Sequence, residues 1–566
     1  MPAPRFDRFP RFEELTELLQ GWAADYTGLV ELSSVGRSHE DRPIWLVTVT
    51  NMRTGPAAEK PALWVDGNVH SVEVASSMAA LHLIHRLLSG FGVDARITHA
   101  LDTRVFYVVP RLSPDGAEWY LATPPRLARS SSRPYPARGE QDGLVAEDVD
   151  GDGRILTMRV PDPNGNWKVD GTDRRLMVPR LPEEDEPGPY FRLIREGHIR
   201  NYDGVTIIDA DNGFGLDLNR NYPFEWRPEP DQRGAGPYPA SEPEVRAAVA
   251  AILERPNICA SIHVHTMSGV HLRPYCTKSD DALPDHDRLT YETVGAAATK
   301  LTGYPAVSVF HGFRHDRKTV TTGTAVDWAY DHLGVLSWAT ELWNPPKAAG
   351  ITDARFPDWS ISHPVEDDLA LLAWSDRELG GRGFVDWYSF DHPQLGPVEI
   401  GGWDVATFWI NPPPHRLEAE VAPHTEFALH LALISPRLAL RDLMATPLAD
   451  GLWRIRLVVE NTGWLPTNVM QRAAERRLVG PVEATISLPD GAGAEVLGPT
   501  RIDVGQLGGR FLKSSMLGIM GPTSDSTADR AKAEWTVRAA AGKVVAVEGR
   551  HPRAGVVRGQ IVLPGD

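Results

Sequence analysis

Short apolar runs alternate with amphipathic stretches along the first two-thirds of the chain. "PALWVDG", "TRVFYVVP", "CASIHVH" and "GVLSWATEL" read as strands, and the segments between them carry apolar residues at helical spacing. That alternation predicts an α/β sheet covered by helices on both faces. In "PASEPEVRAAVAAILERPN" the pattern predicts a helix with Ser241 as its cap, Glu244 completing an S-x-x-E capping box and Pro243 in the first turn. A second helix runs through "TGTAVDWAYDHLG" and stops at Gly334. Residues 124–215, rich in Pro, Gly, Asp and Arg, read as a long excursion from the sheet. After "INPPPHRLEAEVAPH" the pattern changes to short runs, "FALHLALI", "LWRIRLVVENTG", "VEATISLPDG", "KVVAVEG" and "RGQIVLPG", separated by turn residues. Such a run of short strands predicts an all-β sandwich. The expected organisation is a sheet domain over residues 1–415, with its insertion at about 124–215, followed by an accessory β-sandwich over 416–566.

Composition narrows the function classes. The 566 residues include 75 acidic and 58 basic side chains, a net charge of −17, which disfavours nucleic acid and anionic membrane as partners. No stretch approaches the roughly 20 apolar residues of a membrane helix. The opening "MPAPRFDRFPRFEELTELLQGW" has no uninterrupted apolar core of a signal peptide. A cytoplasmic protein is therefore expected. Two cysteines, Cys259 and Cys276, cannot build a disulfide framework.

Chemistry concentrates where apolar strands end. In "LWVDGNVHSVEVASS", His70 and Glu73 stand three apart at the junction of a strand and a helix. Neutral imidazole and carboxylate in one cleft suit zinc. A third ligand is available on "ICASIHVHTMSG", where His263 and His265 share one face of the strand. His265 is nearer the strand end, where an α/β sheet presents its ligands. A His, Glu, His set leaves a fourth position open, the mark of a catalytic zinc. Glu341 ends the apolar strand "GVLSWATELW", where a carboxylate is costly unless a metal, a partner or a function compensates it. Asn219 and Arg220 in "LDLNRNYP" are suited to grip a carboxylate bidentately. "RLSPDGAEWY" and "PPRLARSSSRPYP" add turn chemistry and the arginines Arg126, Arg129 and Arg133.

Taken in order, "GNVHSVEV", "SPDG" with "RLAR", "LDLNRNYP", "SIHVHTMSGVHLRPY", "GTAVDWAY" and "SWATELW" resemble the zinc carboxypeptidases of the carboxypeptidase A and B type, over about residues 11–380. The resemblance implies a mixed central sheet flanked by helices, and a zinc-dependent hydrolase that removes C-terminal residues from peptides bearing a free C-terminal carboxylate. It puts His70, Glu73 and His265 on the zinc ligands and Glu341 on the catalytic glutamate, which takes a proton from water acidified by the metal. Arg129 falls on the arginine that polarises the scissile carbonyl, with Arg133 close by. Asn219 and Arg220 fall on the pair that binds the terminal carboxylate, and Asp217 on the carboxylate that orients a zinc-bound imidazole. Two other readings share this metal set: an amidohydrolase acting on acyl-amino acids or cell-wall peptides, and a binding protein that has lost turnover.

Two positions depart from the family pattern. Thr319, beside Lys318, stands where these enzymes carry a substrate-capping tyrosine, and Val326 falls at the base of the specificity pocket, where an apolar side chain favours neutral or apolar terminal residues over basic ones. Within the insertion, "EDVDGDGRILTM" places Asp148, Asp150 and Asp152 at alternate positions before Gly153, the first half of an EF-hand-type calcium loop. The twelfth position is Arg159, so the missing Ca2+ ligand is expected from Asp162 or Asp209.

Overall fold

The structure is a computed structural model that describes residues 4–136, 141–184, 188–314, 316–354, 358–489, 493–511 and 525–565. Among these residues, eight strands build the central sheet: β1 (Val30–Arg37), β2 (Pro43–Val49), β3 (Ala62–Gly67), β4 (Val105–Val109), β5 (Ile258–Thr266), β6 (Val270–Arg273), β7 (Ala306–Ser308) and β8 (Leu336–Leu342). Their spatial order is β1-β2-β4-β3-β5-β8-β6-β7. The inner four, β4, β3, β5 and β8, are parallel, while β1, β2 and β6 make antiparallel pairs. The sheet is therefore mixed, with helices packed against it. The four expected strands are these inner ones, and β3, β4 and β5 are buried along their whole length. That is why they read as continuous apolar runs rather than as alternation.

After β3 the chain turns back to β4 on one side, and the later strand β5 is laid on the other. The strand order reverses between them, and a crevice opens at the carboxyl ends of strands at such a switch point. Helix α1 (Val74–Gly90) leaves β3 at this place, and α3 (Ala325–Leu333) leads into β8. As expected, α3 stops at Gly334, whose left-handed φ of 61° a side chain would strain.

Two local expectations fail. Helix α2 (Pro243–Leu253) has Glu242, not Ser241, at its N-cap. The Ser241 hydroxyl is turned away, donating to Glu242 Oε1 at 2.7 Å and accepting from Asn221. Glu244 accepts from the His39 N–H instead of closing a capping box. The run "FALHLALI", expected as a sandwich strand, forms the last turns of α4 (Pro414–Ile434), which packs on α1 and buries Leu417, Val421, Phe427 and Leu431. An almost wholly apolar run carries no period of its own, and the helical spacing upstream of it decides.

The strands of the C-terminal unit begin at Leu438. Among the described residues, two four-stranded sheets close over a separate core that includes Ile455, Val459, Trp535 and Val547. The insertion is not self-contained. Its strands Thr157–Pro161, Trp167–Val169, Met177–Pro179 and Tyr190–Arg195 share one six-stranded sheet with the hairpin Phe384–His392/Gly396–Trp403. Among the described residues, no helix is long and apolar enough to cross a membrane.

Candidate active site

The site starts where β3 ends. A Cβ on Gly67 would lie 2.6 Å from the Ser76 carbonyl oxygen, so this close approach of strand and helix admits only glycine. Asn68 follows in a left-handed conformation, φ 59°, with its amide donating to the His70 carbonyl at 2.6 Å. This tight turn delivers His70 and Glu73 to the crevice. Glu73 occupies the N-cap position of α1, yet its carboxylate caps no helical N–H. It faces His70 Nδ1 at 2.7 Å and His265 Nδ1 at 3.1 Å, and accepts the Thr266 N–H at 3.2 Å. The two Nδ1 atoms lie 3.3 Å apart, and all three side chains are buried.

Three buried donor atoms that converge in this way call for a positive charge among them. Burial opposes charge on Glu73, but His70 and His265 hold its carboxyl well below the usual carboxylate range. Burial likewise opposes a proton on His265, yet Glu73 and Glu341 push its pKa up to about 9. The donor set of two imidazoles and one carboxylate, all within 4.8 Å of one another, fits zinc with one position left open. His263, the other candidate on β5, is not part of this set: its Nδ1 pairs with Asp66 Oδ2 at 2.8 Å.

Asp217 ties three of the expected residues together. Its Oδ1 lies 3.0 Å from His70 Nε2, the ring nitrogen away from the donor cluster, and accepts the Asn219 N–H at 2.8 Å. Its Oδ2 accepts Arg129 Nε at 2.9 Å. Burial would raise the Asp217 pKa, but Arg220, Arg129 and His70 hold it well below the ordinary value. Such a carboxylate fixes both the tautomer and the orientation of the imidazole it touches. Arg129 is held at the rim by its backbone, which donates to the Phe214 carbonyl and accepts from the Ser71 N–H, and its side chain is 40% exposed. The two neighbouring arginines are engaged elsewhere: Arg126 stacks over Trp119, and Arg133 makes two hydrogen bonds to Glu242.

On the other flank, β5 and β8 pair in a register that sets Glu341 beside His265. Burial pushes the Glu341 pKa up to about 8, with Glu73 adding to the rise while His265 and Arg129 oppose it. Asn219 Nδ2 lies 3.4 Å from His265 Nε2, its Oδ1 accepts the Ala325 N–H at 2.9 Å, and Arg220 donates to the Asn219 carbonyl at 2.7 Å. Val326, on the first turn of α3, is buried in an apolar cluster with Leu272, Cys276, Val309 and Ala339. Thr319 lies on an exposed turn with its N–H directed at the Asp316 carbonyl.

Sequence reasoning missed most of this apolar cluster. The alternation in "VHLRPYC" was a signal for Leu272, but Cys276 and Val309 come from loop ends whose positions no local pattern sets. It also missed Asp66, whose pairing with His263 separates the two histidines of β5.

The acidic loop is arranged differently from its expectation. Asp148 and Asp150 converge with Glu196, not with Asp152. Asp162 instead pairs with Arg192, and Asp152 accepts the Arg154 N–H at 2.8 Å. Calcium gains no support: the three converging carboxylates already accept the backbone N–H groups of Gly151, Asp152, Gly153, Val149 and Leu156.

Comparison with known proteins bears on the whole arrangement. The family described as zinc carboxypeptidase matches residues 15–352, and a domain of unknown function matches residues 437–562. Carboxypeptidase A2 of Rattus norvegicus is 25% identical over 345 residues, covering 60% of this chain and 63% of that protein. Carboxypeptidase A2 of Mus musculus is 27% identical over 339 residues, with the same coverage. The chain thus spans somewhat less than two-thirds of the length of these relatives. The crystal structure of carboxypeptidase A from Helicoverpa armigera is 18% identical with a TM-score of 0.39, covering 61% of this chain and 68% of that one.

Proposed function

The chain belongs to the zinc carboxypeptidase family, and from that premise we propose that it hydrolyses the C-terminal peptide bond of peptides bearing a free terminal carboxylate. The observation that carries this reading is the register of β5 with β8, which sets Glu341 beside His265 of the His70, Glu73 and His265 cluster, while the Asn219 amide lies against the same histidine and Arg220 is tied to the Asn219 carbonyl. When bound by these three residues, zinc supplies Lewis acidity, polarising a carbonyl and making water acidic enough to lose a proton near neutrality.

The protein's own side chains do the rest. Arg220, with the Asn219 amide, receives the terminal carboxylate, as a planar guanidinium does best. That contact fixes the terminal residue and aims its side chain at Val326, Leu272 and Ala339, an apolar lining that favours neutral or apolar residues over charged ones. Glu341 takes the proton of the attacking water and returns it to the leaving amine. Arg129 meets the negative charge that develops on the carbonyl oxygen, a preorganised interaction worth about 3 to 4 kcal/mol in comparable sites. Asp217 keeps His70 in the tautomer whose Nδ1 lone pair is free. Thr319 contributes no phenol, so a capping contact to the substrate has to come from another loop.

The test is incubation of the protein with a mixed-sequence peptide pool, with zinc and after chelation, and with Glu341→Gln as control, the products being read by mass spectrometry. Stepwise loss of C-terminal residues that needs both zinc and Glu341 is the expected result. Intact peptides at full zinc occupancy would overturn it.

A further inference from the structure

The C-terminal unit touches the catalytic unit at a place that matters for the pocket. Its short helix α5 (Gln471–Glu475) and the buried Arg553 reach the far end of α3, the helix whose first turn carries Val326. Arg472 Nη2 donates to the Tyr275 hydroxyl at 2.7 Å, and that hydroxyl donates to Asp331 Oδ2 at 2.7 Å. Arg476 pairs with the other oxygen of Asp331, which is fully buried. Arg553 donates to the carbonyls of Leu333, Gly334 and Asn468. A guanidinium at the last carbonyls of a helix satisfies groups that have no partner within it. The backbone N–H groups of Gln471 and Arg472 donate to Asp287, which also accepts from Tyr330 of α3.

One of these contacts, that to Tyr275, leads to the apolar cluster around Val326. Tyr275 is the chain neighbour of Cys276, whose N–H donates to both oxygens of Asp327 at 2.9 and 3.1 Å. Asp327 and Asp331 lie four apart and so share one face of α3. The far end of α3 is thus held by arginines of the C-terminal unit, and its start by Asn219 through the Ala325 N–H. Between these two supports sit Val326 and Cys276.

We propose that the C-terminal unit is a positioning element for the terminal-residue pocket: Arg472, Arg476 and Arg553 fix Tyr275, Asp331 and the end of α3, and thereby set the depth of the floor formed by Val326 and Cys276. The proposal rests on the reading of that apolar cluster as the terminal-residue pocket. Its positioning residues touch no substrate. They act through the helix that does.

The test uses the full chain with Arg472→Met, Arg472→Lys and Tyr275→Phe. One arm measures kcat and KM on peptides that differ only in the terminal residue, from Ala to Leu to Phe. The ratio of kcat/KM for Phe over Ala is expected to shift at least fivefold in Arg472→Met and Tyr275→Phe, mainly through KM, with Arg472→Lys restoring part of the wild-type ratio. The other arm needs no turnover. It follows iodoacetamide labelling of the two cysteines by peptide mass. Cys276 reports the pocket floor, while Cys259, whose thiol lies 3.1 Å from the Arg553 carbonyl, reports detachment of the whole unit. Labelling of Cys276 is expected to rise at least fivefold with Cys259 still protected. A uniform loss for every terminal residue with both cysteines exposed would mean that the contacts merely hold two domains together, and an unchanged ratio with Cys276 still protected would likewise overturn the proposal. Should the wild type trim no peptide, the carboxypeptidase reading fails, while the labelling arm still decides whether the C-terminal unit sets this floor. If Arg472→Met does not fold, Tyr275→Phe carries both arms, because it removes one hydroxyl and leaves every arginine in place.

Discussion

Two clusters of converging donors occur in the described residues, one at the carboxyl ends of β3 and β5 and one in the insertion, and they differ in what their oxygens and nitrogens already do. At the sheet, Glu73 accepts a single backbone N–H, faces two imidazoles and has Arg129 Nη1 3.8 Å from its Oε1, while both Nδ1 atoms point into the shared space. In the insertion, Asp148 accepts the N–H groups of Gly151, Asp152 and Gly153, Glu196 those of Val149 and Leu156, and Asp150 receives the Tyr388 hydroxyl. The carboxylates of the second cluster are satisfied by the chain's own N–H groups, whereas the first gathers two imidazole nitrogens and a carboxylate with a single backbone N–H among them. Proximity of acidic groups therefore says less about a metal than the hydrogen bonds those groups have already made.

The largest effect that can break this contrast is loss of the metal. In His265→Ala the zinc content is expected to fall from about one per chain to below about 0.1, and turnover with it, since a catalytic zinc with two protein ligands left is poorly held. Asp150→Asn should leave both unchanged. Metal analysis of the two purified variants checks the pair, and zinc lost from Asp150→Asn would show that the insertion cluster takes part in metal binding. Next in size is Arg129→Ala, for which kcat is expected to fall about 10²- to 10³-fold at unchanged zinc content. A rise in KM alone would move Arg129 from the developing charge to ground-state binding.

How much of this was legible in the sequence follows from the range of the interactions. Glu341 could be read because a costly carboxylate near the end of an apolar strand marks itself, and His70 and Glu73 because they stand three apart where a strand gives way to a helix. The choice between His263 and His265 could only be inclined toward the strand end. Asp66, which settles the partnership of His263, lies 197 positions away and pairs through the β3 to β5 register. The same reason hides the union of the insertion with the hairpin Phe384–His392/Gly396–Trp403, where Arg159 stands opposite Glu399. The capping box at Ser241 was a valid local motif, lost to tertiary partners: Asn221 and Glu242 engage the hydroxyl, and His39 engages Glu244. Local rules reported which residues are reactive, and long-range pairing decided which of them meet.

A smaller effect probes the insertion directly. Glu196 is fully buried and its two oxygens each accept one backbone N–H. Glu196→Ala strands both donors, which costs about 1–3 kcal/mol for each group left unsatisfied. Faster hydrogen exchange over residues 143–200 is expected, with zinc content and kcat unaltered. If zinc fell as well, the two clusters would be coupled, and the contrast drawn between them would have to be given up.

The smallest effect concerns Asp327, a buried carboxylate with neither a metal cluster nor a full set of backbone donors around it. One N–H, that of Cys276, is shared between its two oxygens. Burial raises its pKa to about 7, with Glu225 adding to the rise and the Cys276 hydrogen bond and Lys278 opposing it. The folded state therefore favours the neutral acid. That contribution to stability is fully present below the ordinary carboxylate pKa of about 4 and is lost as pH rises through about 7. Asp327→Asn keeps an acceptor for the Cys276 N–H and removes the titration. The fall in Tm between pH 5 and pH 8 should shrink in this variant by about 2 °C, roughly 2 to 3 kcal/mol for a chain of this size. Thermal melts of the two proteins across that range would show it, and parallel curves would mean that Asp327 stays charged in the fold, its charge compensated as well as that of Glu73.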